Sequence, residues 1–232
     1  MATYVLVHGA FGGAHEFRLV RRQLLAAGHD VFTPTLTGIG ARSHLSSPQV
    51  TLETHVEDIT NLVRYWDLRQ IVLLGFSYGG MVVTGALSRI ADRIDHLVFL
   101  DAMVPADGES LDLIVGRTRP DELGTPWLHE PMERQPSSFD DPVEEAFNAP
   151  RRTSQPVRTF SDRVRLDRPI EEYEFSRTFI KATGEERTSS PIWRFADHAK
   201  TSPKWHYHEI ATNHLIPSNC PDDLVKLLLE LA

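Results

Sequence analysis

The sequence predicts an α/β fold, in which a mostly parallel six-stranded sheet carries helices on both faces. Short apolar runs rich in β-branched residues alternate with helix-type patterns along the chain, as in successive βαβ units. These runs are apolar at nearly every position, which is typical of strands buried on both faces. The 232 residues suit one α/β domain with an insertion, so we expect a single domain over residues 1–232.

Each predicted strand is followed by a turn or by a helix signal. We expect the strands at residues 4–7, 30–33, 71–74, 96–100, 178–182 and 205–210. The first helix presents an apolar face from Phe17 to Leu25 opposite several arginines, and Gly28 ends it.

The later helices are predicted from caps and from apolar spacing. Thr51 caps the second helix, whose apolar face includes Trp66. A third helix follows residue 77 and extends to Ile90, and a fourth is expected around residues 192–198. The last helix begins at Pro221, because proline fits the first helical position and acidic residues follow it there.

The stretch from about residue 105 to residue 175 interrupts the alternation of strands and helices. It is rich in proline and charge, with short helical pieces predicted at residues 110–115 and 142–149. A disordered linker is disfavoured because four aromatic residues need burial: Trp127, Phe139, Phe147 and Phe160. We interpret this stretch, called the insertion below, as a helical cap on a core formed by residues 1–104 and 176–232.

Composition and charge argue against several classes of partner. The formal net charge of −8 and the scattered basic residues disfavour a nucleic-acid surface. The single cysteine, Cys220, cannot form an internal disulfide, and His206 and His208 lack a third neighbouring metal ligand. No apolar stretch reaches membrane-spanning length, and the N-terminus lacks a positively charged leader. We therefore expect a cytoplasmic protein without metal, cofactor, nucleic-acid or membrane partner, as a monomer or a homodimer.

Residues 75–79 read Gly-Phe-Ser-Tyr-Gly and lie between a predicted strand and a predicted helix. This spacing in this context is typical of a nucleophile elbow. The chain reverses so sharply there that a Cβ two residues before or after the serine would clash. The serine hydroxyl is then exposed at the carboxyl end of the sheet, above a helix N-terminus. The motif predicts that Ser77 is a nucleophile.

A serine hydroxyl needs a base to accept its proton, and the base needs a carboxylate to hold its tautomer. His214 follows the last predicted strand and is the expected base. Asp101 directly follows the fourth strand, where its geometry is well fixed, and is the favoured acid. Glu185, in a charged turn after the fifth strand, stays open as the alternative acid.

Acyl transfer also needs two N–H donors for the developing oxyanion. The first is expected from Tyr78 and the second from Ala10 or Phe11, in the glycine-rich loop after the first strand. His8, beside that loop, is expected to be structural. An apolar substrate pocket is expected from the following side chains: Phe11, Tyr78, Met103, Trp127 and Leu215.

These motifs resemble the α/β-hydrolase superfamily over essentially the whole chain. The resemblance rests on His8-Gly9-Ala10, on residues 75–80 and on His214 with an insertion before it. Residues 4–10 and 34–38 resemble the plant methylesterase and hydroxynitrile lyase group more narrowly. Bacterial esterases similar to that group match better, through residues 100–105.

The resemblance implies an α/β-hydrolase fold with a helical cap and a cofactor-independent Ser-His-Asp enzyme. Plant members usually carry His before the nucleophile, where this chain has Phe76, and their acid follows the penultimate strand. Bacterial relatives commonly carry Asp at the position of Asp101. Cyanohydrin cleavage is not expected, because Ala10 or Phe11 replaces the threonine and Leu215 replaces the lysine on which the lyases rely.

We therefore expect a serine esterase that cleaves a small hydrophobic or aromatic carboxylic ester through an acyl-enzyme. Two alternatives stay open. The same triad can cleave carbon–carbon bonds, lactones or polyketide-like intermediates, and the fold can serve as a non-catalytic ligand receptor.

Overall fold

The computed structural model describes residues 1–118, 126–132, 138–184 and 190–231, and within them six strands form one parallel sheet. In chain order the strands are β1 (Thr3–Val7), β2 (Asp30–Phe32), β3 (Ile71–Phe76), β4 (Ile94–Leu100), β5 (Leu128–His129), β6 (Gln155–Pro156), β7 (Ser176–Ala182) and β8 (His206–Ile210). The order across the sheet is β2-β1-β3-β4-β7-β8, and every neighbouring pair is parallel. The predicted fold class is confirmed.

Helices follow the strands of the sheet. They are α1 (Arg18–Ala26), α2 (Leu52–Tyr65), α3 (Gly79–Ile90), α4 (Leu111–Ile114), α5 (Pro142–Asn148), α6 (Arg158–Ser161), α7 (Pro191–Thr201), α8 (Ile216–Asn219) and α9 (Pro221–Glu230). Short 3-10 turns lie at Ala14–Phe17, Gly40–Leu45, Ala91–Arg93, Ala149–Arg151 and Ile170–Glu172. Thr51 caps α2 as predicted, since its hydroxyl accepts the Thr54 N–H.

Both faces of the sheet are buried, which explains why the strands are apolar at successive positions. Along β3, Val72 and Leu74 pack in the layer that contains α1 and α9. Ile71 and Leu73 pack in the opposite layer, which contains α2, α3 and α7. The alternation follows from the period of two residues in a strand. Successive side chains of β3 therefore pack into opposite layers, and helices cover the sheet on both sides.

Several predictions differ at the ends of elements: β4 begins at Ile94 and β7 at Ser176, each two residues earlier than predicted. β3 continues two residues further than predicted, because Gly75 pairs with Val7 and Phe99 while Phe76 pairs with Leu100. Trp66 does not belong to the apolar face of α2 and is 65% exposed. The helix ends at Tyr65, so the face does not continue to the tryptophan.

The insertion contains α4, α5, α6 and a two-stranded antiparallel pair formed by β5 and β6. The short helices α4 and α5 lie where helical pieces were predicted. Phe139 and Phe160 are buried, and the half-buried Phe147 lies under the guanidinium groups of Arg18 and Arg151. Trp127 differs from the expectation, since 40% of its surface is exposed.

Within the parts of the chain that the structure describes, none of the helices combines the length and apolar character that crossing a bilayer requires.

The central position of β3 gives a test of the core. Leu73→Ala removes a side chain that is 0% exposed, so we expect the free energy of unfolding to fall by about 2–5 kcal/mol. Leu113→Ala makes the same chemical change at a side chain that is 52% exposed, and we expect a loss under about 1 kcal/mol. Urea denaturation followed by circular dichroism measures both. Equal losses in the two variants would contradict the burial pattern.

Candidate active site

The chain reverses direction sharply at Ser77, between β3 and α3. Ser77 has a φ of 54°, in the left-handed region that residues with a Cβ rarely adopt. A Cβ added at Gly75 would lie 2.8 Å from the Gly79 carbonyl oxygen, and one added at Gly79 would lie 2.5 Å from the Val7 carbonyl oxygen. Larger residues would therefore push the strand and the helix apart. The two glycines of the motif are required by close backbone approach.

Ser77, His214 and Asp101 form a continuous line of hydrogen bonds at the carboxyl end of the sheet. His214 Nε2 lies 2.9 Å from Ser77 Oγ, and His214 Nδ1 lies 2.6 Å from Asp101 Oδ2. A carboxylate only accepts hydrogen bonds, so the ring proton is on Nδ1 and Nε2 is free to accept the serine proton. The three residues follow β3, β8 and β4, whose ends meet because the strands are parallel. This arrangement can activate a hydroxyl as a nucleophile.

The carboxylate of Asp101 is held by the neighbouring strand. Asp101 also has a left-handed backbone, with a φ of 41°, and its N–H donates to the Ile180 carbonyl over 2.7 Å. Its second carboxylate oxygen, Oδ1, accepts the Ala182 N–H over 3.3 Å. β7 therefore orients the acid toward His214. Glu185, the alternative acid, lies outside the described residues.

Two residues that the sequence did not single out position His214. The Phe76 ring lies 4.9 Å from the imidazole, with planes tilted by 31°. The Asn213 amide nitrogen donates to the Ser138 carbonyl over 2.8 Å, and its oxygen accepts the Leu215 N–H over 2.9 Å. The histidine loop is thus tied to the insertion. The one sequence signal for Asn213 is that it precedes His214. The contact between the Phe76 ring and His214 forms only when the loop after β8 lies over β3, so no local pattern predicts it.

The loop after β1 supplies backbone N–H groups next to Ser77. A Cβ added at Gly9 would lie 3.2 Å from Ser77 Cβ, so the loop touches Ser77. The Gly9 N–H donates to Glu16 Oε2 over 3.3 Å, and the Phe11 N–H donates to Gln155 Oε1 over 2.8 Å. Among the described residues, no hydrogen bond engages the Ala10 N–H between them. Of the two predicted loop donors, the Phe11 amide is already paired.

The buried His8 braces this loop as a neutral ring. Its Nε2 accepts the Leu36 N–H over 3.0 Å, so the ring proton is on Nδ1 and donates to the Gly9 carbonyl over 2.8 Å. Burial lowers the pKa of His8 to about 3, against the opposing effect of the Gly9 hydrogen bond. Both ring nitrogens of His8 are engaged in the interior, in line with the structural role expected from the sequence.

His55 of α2 is a second buried neutral histidine, and it holds the side chain of Tyr78. The Tyr78 hydroxyl lies 2.9 Å from His55 Nδ1, and His55 Nε2 lies 2.8 Å from the Thr37 carbonyl oxygen. A carbonyl oxygen only accepts, so the ring proton is on Nε2 and the tyrosine donates to Nδ1. Burial lowers the pKa of His55 to about 4 and raises the pKa of Tyr78 far above its usual value. These hydrogen bonds hold the side chain of Tyr78, the residue that follows Ser77.

Four aromatic rings lie close together at Tyr78 and the loop after β1. The rings of Phe11, His129 and Phe160 lie 5.5–5.7 Å from one another, and Phe160 lies 5.5 Å from Tyr78. We call these four rings the aromatic cluster. Two of its members come from the insertion, and His129 was missed because a two-residue strand leaves no periodic signal.

The remaining predicted pocket residues divide into two groups. Met103 and Leu215 are buried, and the Met103 N–H donates to the Ser77 carbonyl over 3.2 Å. Trp127 presents 40% of its surface, and its carbonyl accepts the Val157 N–H over 2.8 Å. The structure thus places Met103 beside Ser77 and Leu215 beside His214, and leaves Trp127 partly at the surface.

His206 and His208 lie on the edge strand β8, and His206 is exposed. The centroids of the His96 and His206 rings lie 6.2 Å apart. Among the described residues, no three His, Cys, Asp or Glu side chains are grouped closely enough to hold a metal ion.

Comparison with known proteins gives a family and several relatives. A sequence model of the alpha/beta hydrolase family matches residues 4–227. A carbendazim hydrolyzing esterase from Nocardioides sp. (strain SG-4G) is 34% identical over an alignment of 247 residues that covers 100% of each chain. Methylesterase 3 of Arabidopsis thaliana is 32% identical over 126 residues, which cover 53% of this chain and 48% of that protein.

Solved structures show the same fold. A methylesterase from Arabidopsis superposes with a TM-score of 0.78 at 23% identity, covering 99% of this chain and 98% of that one. A pyrethroid hydrolase from Sphingobium faniae JZ-2 superposes with a TM-score of 0.76 at 23% identity, covering 99% of this chain and 96% of that one. At these identities the likeness concerns the fold alone.

Three buried histidines, His8, His55 and His96, predict how stability depends on pH, because burial lowers the pKa of each, that of His96 to about 4. Their folded pKa values lie below the unfolded value of about 6.5, so the unfolded chain binds the extra protons. The free energy of unfolding should therefore fall below about pH 6.5, by up to about 1.4 kcal/mol per pH unit for each histidine. Urea denaturation between about pH 7 and pH 4.5 measures this slope.

Variants separate the histidines from other titrating groups. His8→Gln should flatten the pH dependence, because one of the three buried rings no longer titrates. His44→Gln removes an exposed ring and should leave the slope unchanged. Identical slopes in the wild type and in His8→Gln would refute the assignment.

Proposed function

The chain belongs to the alpha/beta hydrolase family and is a carboxylic ester hydrolase, and from that premise we propose that it works through a Ser77-His214-Asp101 triad. The observation that carries this proposal is the position of His214. One ring nitrogen lies 2.9 Å from the Ser77 hydroxyl and the other lies 2.6 Å from the Asp101 carboxylate. A base held between a nucleophile and a carboxylate is the arrangement that acyl transfer to serine requires.

In the first half of the proposed reaction, Ser77 Oγ attacks the acyl carbon while His214 Nε2 accepts its proton. The carbonyl oxygen becomes an oxyanion, which the N–H groups of Tyr78 and Ala10 stabilise. The tetrahedral intermediate collapses, and His214 donates the proton to the leaving alcohol. Asp101 stabilises the positive imidazolium and keeps the ring in its tautomer.

In the second half, His214 accepts a proton from water, and the hydroxide attacks the acyl-enzyme. The same N–H groups stabilise the second oxyanion, and the proton returns to Ser77 Oγ as the acid product leaves. Ala10 is favoured over Phe11 as the loop donor because the Phe11 N–H already donates to Gln155 Oε1 over 2.8 Å. No metal or cofactor takes part in these steps.

The substrate that we propose is a small hydrophobic or aromatic ester. Its support is the aromatic cluster, together with the buried side chains of Met103 and Leu215 on the residues next to the triad. The names of two relatives, a carbendazim hydrolyzing esterase and a methylesterase, agree with a small ester substrate.

Ser77→Ala tests the nucleophile. We expect kcat on nitrophenyl esters to fall by at least about 10⁴-fold, because no other hydroxyl replaces the attacking oxygen. In the wild type, a serine-reactive phosphonate should label Ser77, which mass spectrometry of the peptides detects. A label on another residue, or activity that survives the substitution, would refute the assignment of Ser77 as the nucleophile. Turnover of a diketone without any ester hydrolysis would favour carbon–carbon cleavage instead.

Asp101→Asn and Glu185→Gln together decide which carboxylate is the acid. Asp101→Asn keeps the side-chain shape but removes the acceptor that fixes the His214 tautomer, so we expect a loss of about 10³–10⁴-fold in kcat. Glu185→Gln should change kcat by less than about threefold, because the proposed triad gives this carboxylate no role. Steady-state kinetics on one ester measures both variants, and the reverse order of effects would exchange the two assignments.

A further inference from the structure

Gln155 brings a fully buried carboxamide from the insertion to the loop that contains the proposed oxyanion donor. It lies on β6, opposite His129 of β5, and its side chain is 0% exposed. Its Oε1 accepts the Phe11 N–H over 2.8 Å, across 144 residues of sequence. The neighbouring Thr153 N–H donates to the Phe11 carbonyl over 3.0 Å. The insertion therefore holds both backbone polar groups of Phe11.

The orientation of the carboxamide follows from its second partner. Gln155 Nε2 lies 2.9 Å from Thr159 Oγ1, and the Thr159 hydroxyl donates to the Pro156 carbonyl over 2.7 Å. The threonine oxygen is therefore an acceptor for the glutamine nitrogen. Rotating the amide by 180° would set the NH₂ group against the Phe11 N–H, so one orientation satisfies all three groups.

Phe11 needs such a partner because its backbone is strained. Its φ is 64°, in the left-handed region where a residue with a Cβ is uncommon. Strained backbone persists only where the surroundings over-determine it. The paired N–H and carbonyl of Phe11 supply that determination from the insertion.

The peptide on the other side of Ala10 is held as well. Glu16 Oε2 accepts the Gly9 N–H over 3.3 Å, and a Cβ added at Gly12 would lie 2.4 Å from the same carboxyl group. The peptides before and after the Gly9–Ala10 peptide are thus each fixed by a side chain. The His8 ring donates to the Gly9 carbonyl over 2.8 Å, and together these contacts restrict the orientation of the Ala10 N–H.

We propose that Gln155 is a positioning residue of the oxyanion hole, which from the insertion fixes the Ala10–Phe11 peptide and thereby the direction of the Ala10 N–H. The inference rests on the proposed function, since Ala10 has this role only if Ser77 is the nucleophile. It adds a residue that does not touch the substrate and acts through the backbone. The insertion then belongs to the catalytic geometry as well as to the substrate pocket.

The test is Gln155→Met, which keeps the length of the side chain but removes the strong acceptor for the Phe11 N–H. We expect kcat to fall about tenfold or more while KM changes less than about twofold, since outright loss of one oxyanion donor costs roughly a hundred- to a thousandfold. Phosphonate titration gives the concentration of active sites, so the rate is counted per competent molecule. Affinity for an alkyl boronic acid, which forms a tetrahedral adduct on serine, should fall by the same factor as kcat/KM.

Ser154→Ala is the matched control. Ser154 precedes Gln155, and its hydroxyl donates to Glu130 Oε2 within the insertion, away from the loop. Its kcat and its boronate affinity should stay within twofold of the wild type. A purely structural role for Gln155 would lower thermal stability or the titrated fraction without changing kcat per active site.

Thr159→Val gives a smaller perturbation, should Gln155→Met fail to fold. It removes the partner that orients the carboxamide, and we expect kcat to fall several-fold. A folded Gln155→Met or Thr159→Val enzyme with wild-type kcat and wild-type boronate affinity overturns the inference. Failure of the proposed function looks different, because the wild type itself would then hydrolyse no ester and take no label at Ser77.

Discussion

Because β3 pairs in parallel with both β1 and β4, Val7, Gly75 and Phe99 lie side by side, and the loops that follow leave the sheet at one edge. This register brings Ser77, Asp101 and the loop of residues 8–13 into contact, although nearly a hundred residues separate them. β8 joins the same sheet through β7, and His214 therefore returns to the same edge. A shift of one residue in β3 would turn its side chains to the opposite faces and separate the site.

The same edge concentrates backbone strain. Phe11, Ser77 and Asp101 all have left-handed φ angles, and each follows within a few residues of a strand of the sheet. Conformations of this kind cost free energy that the rest of the structure must supply. Each strained residue has stabilising contacts. Gln155 accepts the Phe11 N–H, the Ile180 carbonyl accepts the Asp101 N–H, and Ser77 lies between the buried elements β3 and α3. A buried core with two fully covered faces can maintain three strained residues at one site.

Among the described residues, hydrogen bonds connect the insertion to the site both at the loop after β1 and beside His214. Gln155 holds the loop after β1, and the Ser138 carbonyl accepts the side-chain amide of Asn213 beside His214. Phe160 and His129 complete the aromatic cluster with Phe11 and Tyr78. In the proposed mechanism, changes in the insertion alter the rate as well as the choice of substrate, because the same segment contributes two rings of the aromatic cluster and, through Gln155, positions the Ala10 N–H.

The sequence by itself determined the fold class and the candidates Ser77 and His214, because strand and helix periodicity and the glycine spacing of a strand-to-helix reversal are local signals. It also named Asp101, but a position after a strand cannot tell which carboxylate reaches the imidazole; the contact with His214 exists only when β4, β7 and β8 are assembled. Gln155 and His129 carry no local signal, since each acts across more than a hundred residues on Phe11 through a two-residue strand. Trp127 shows the converse, because an aromatic residue in an irregular segment predicts burial while the packing of its neighbours decides its exposure. Local sequence patterns therefore predicted the strands, the helices and the candidate nucleophile Ser77. Only the tertiary structure decided which distant polar groups hold them in place.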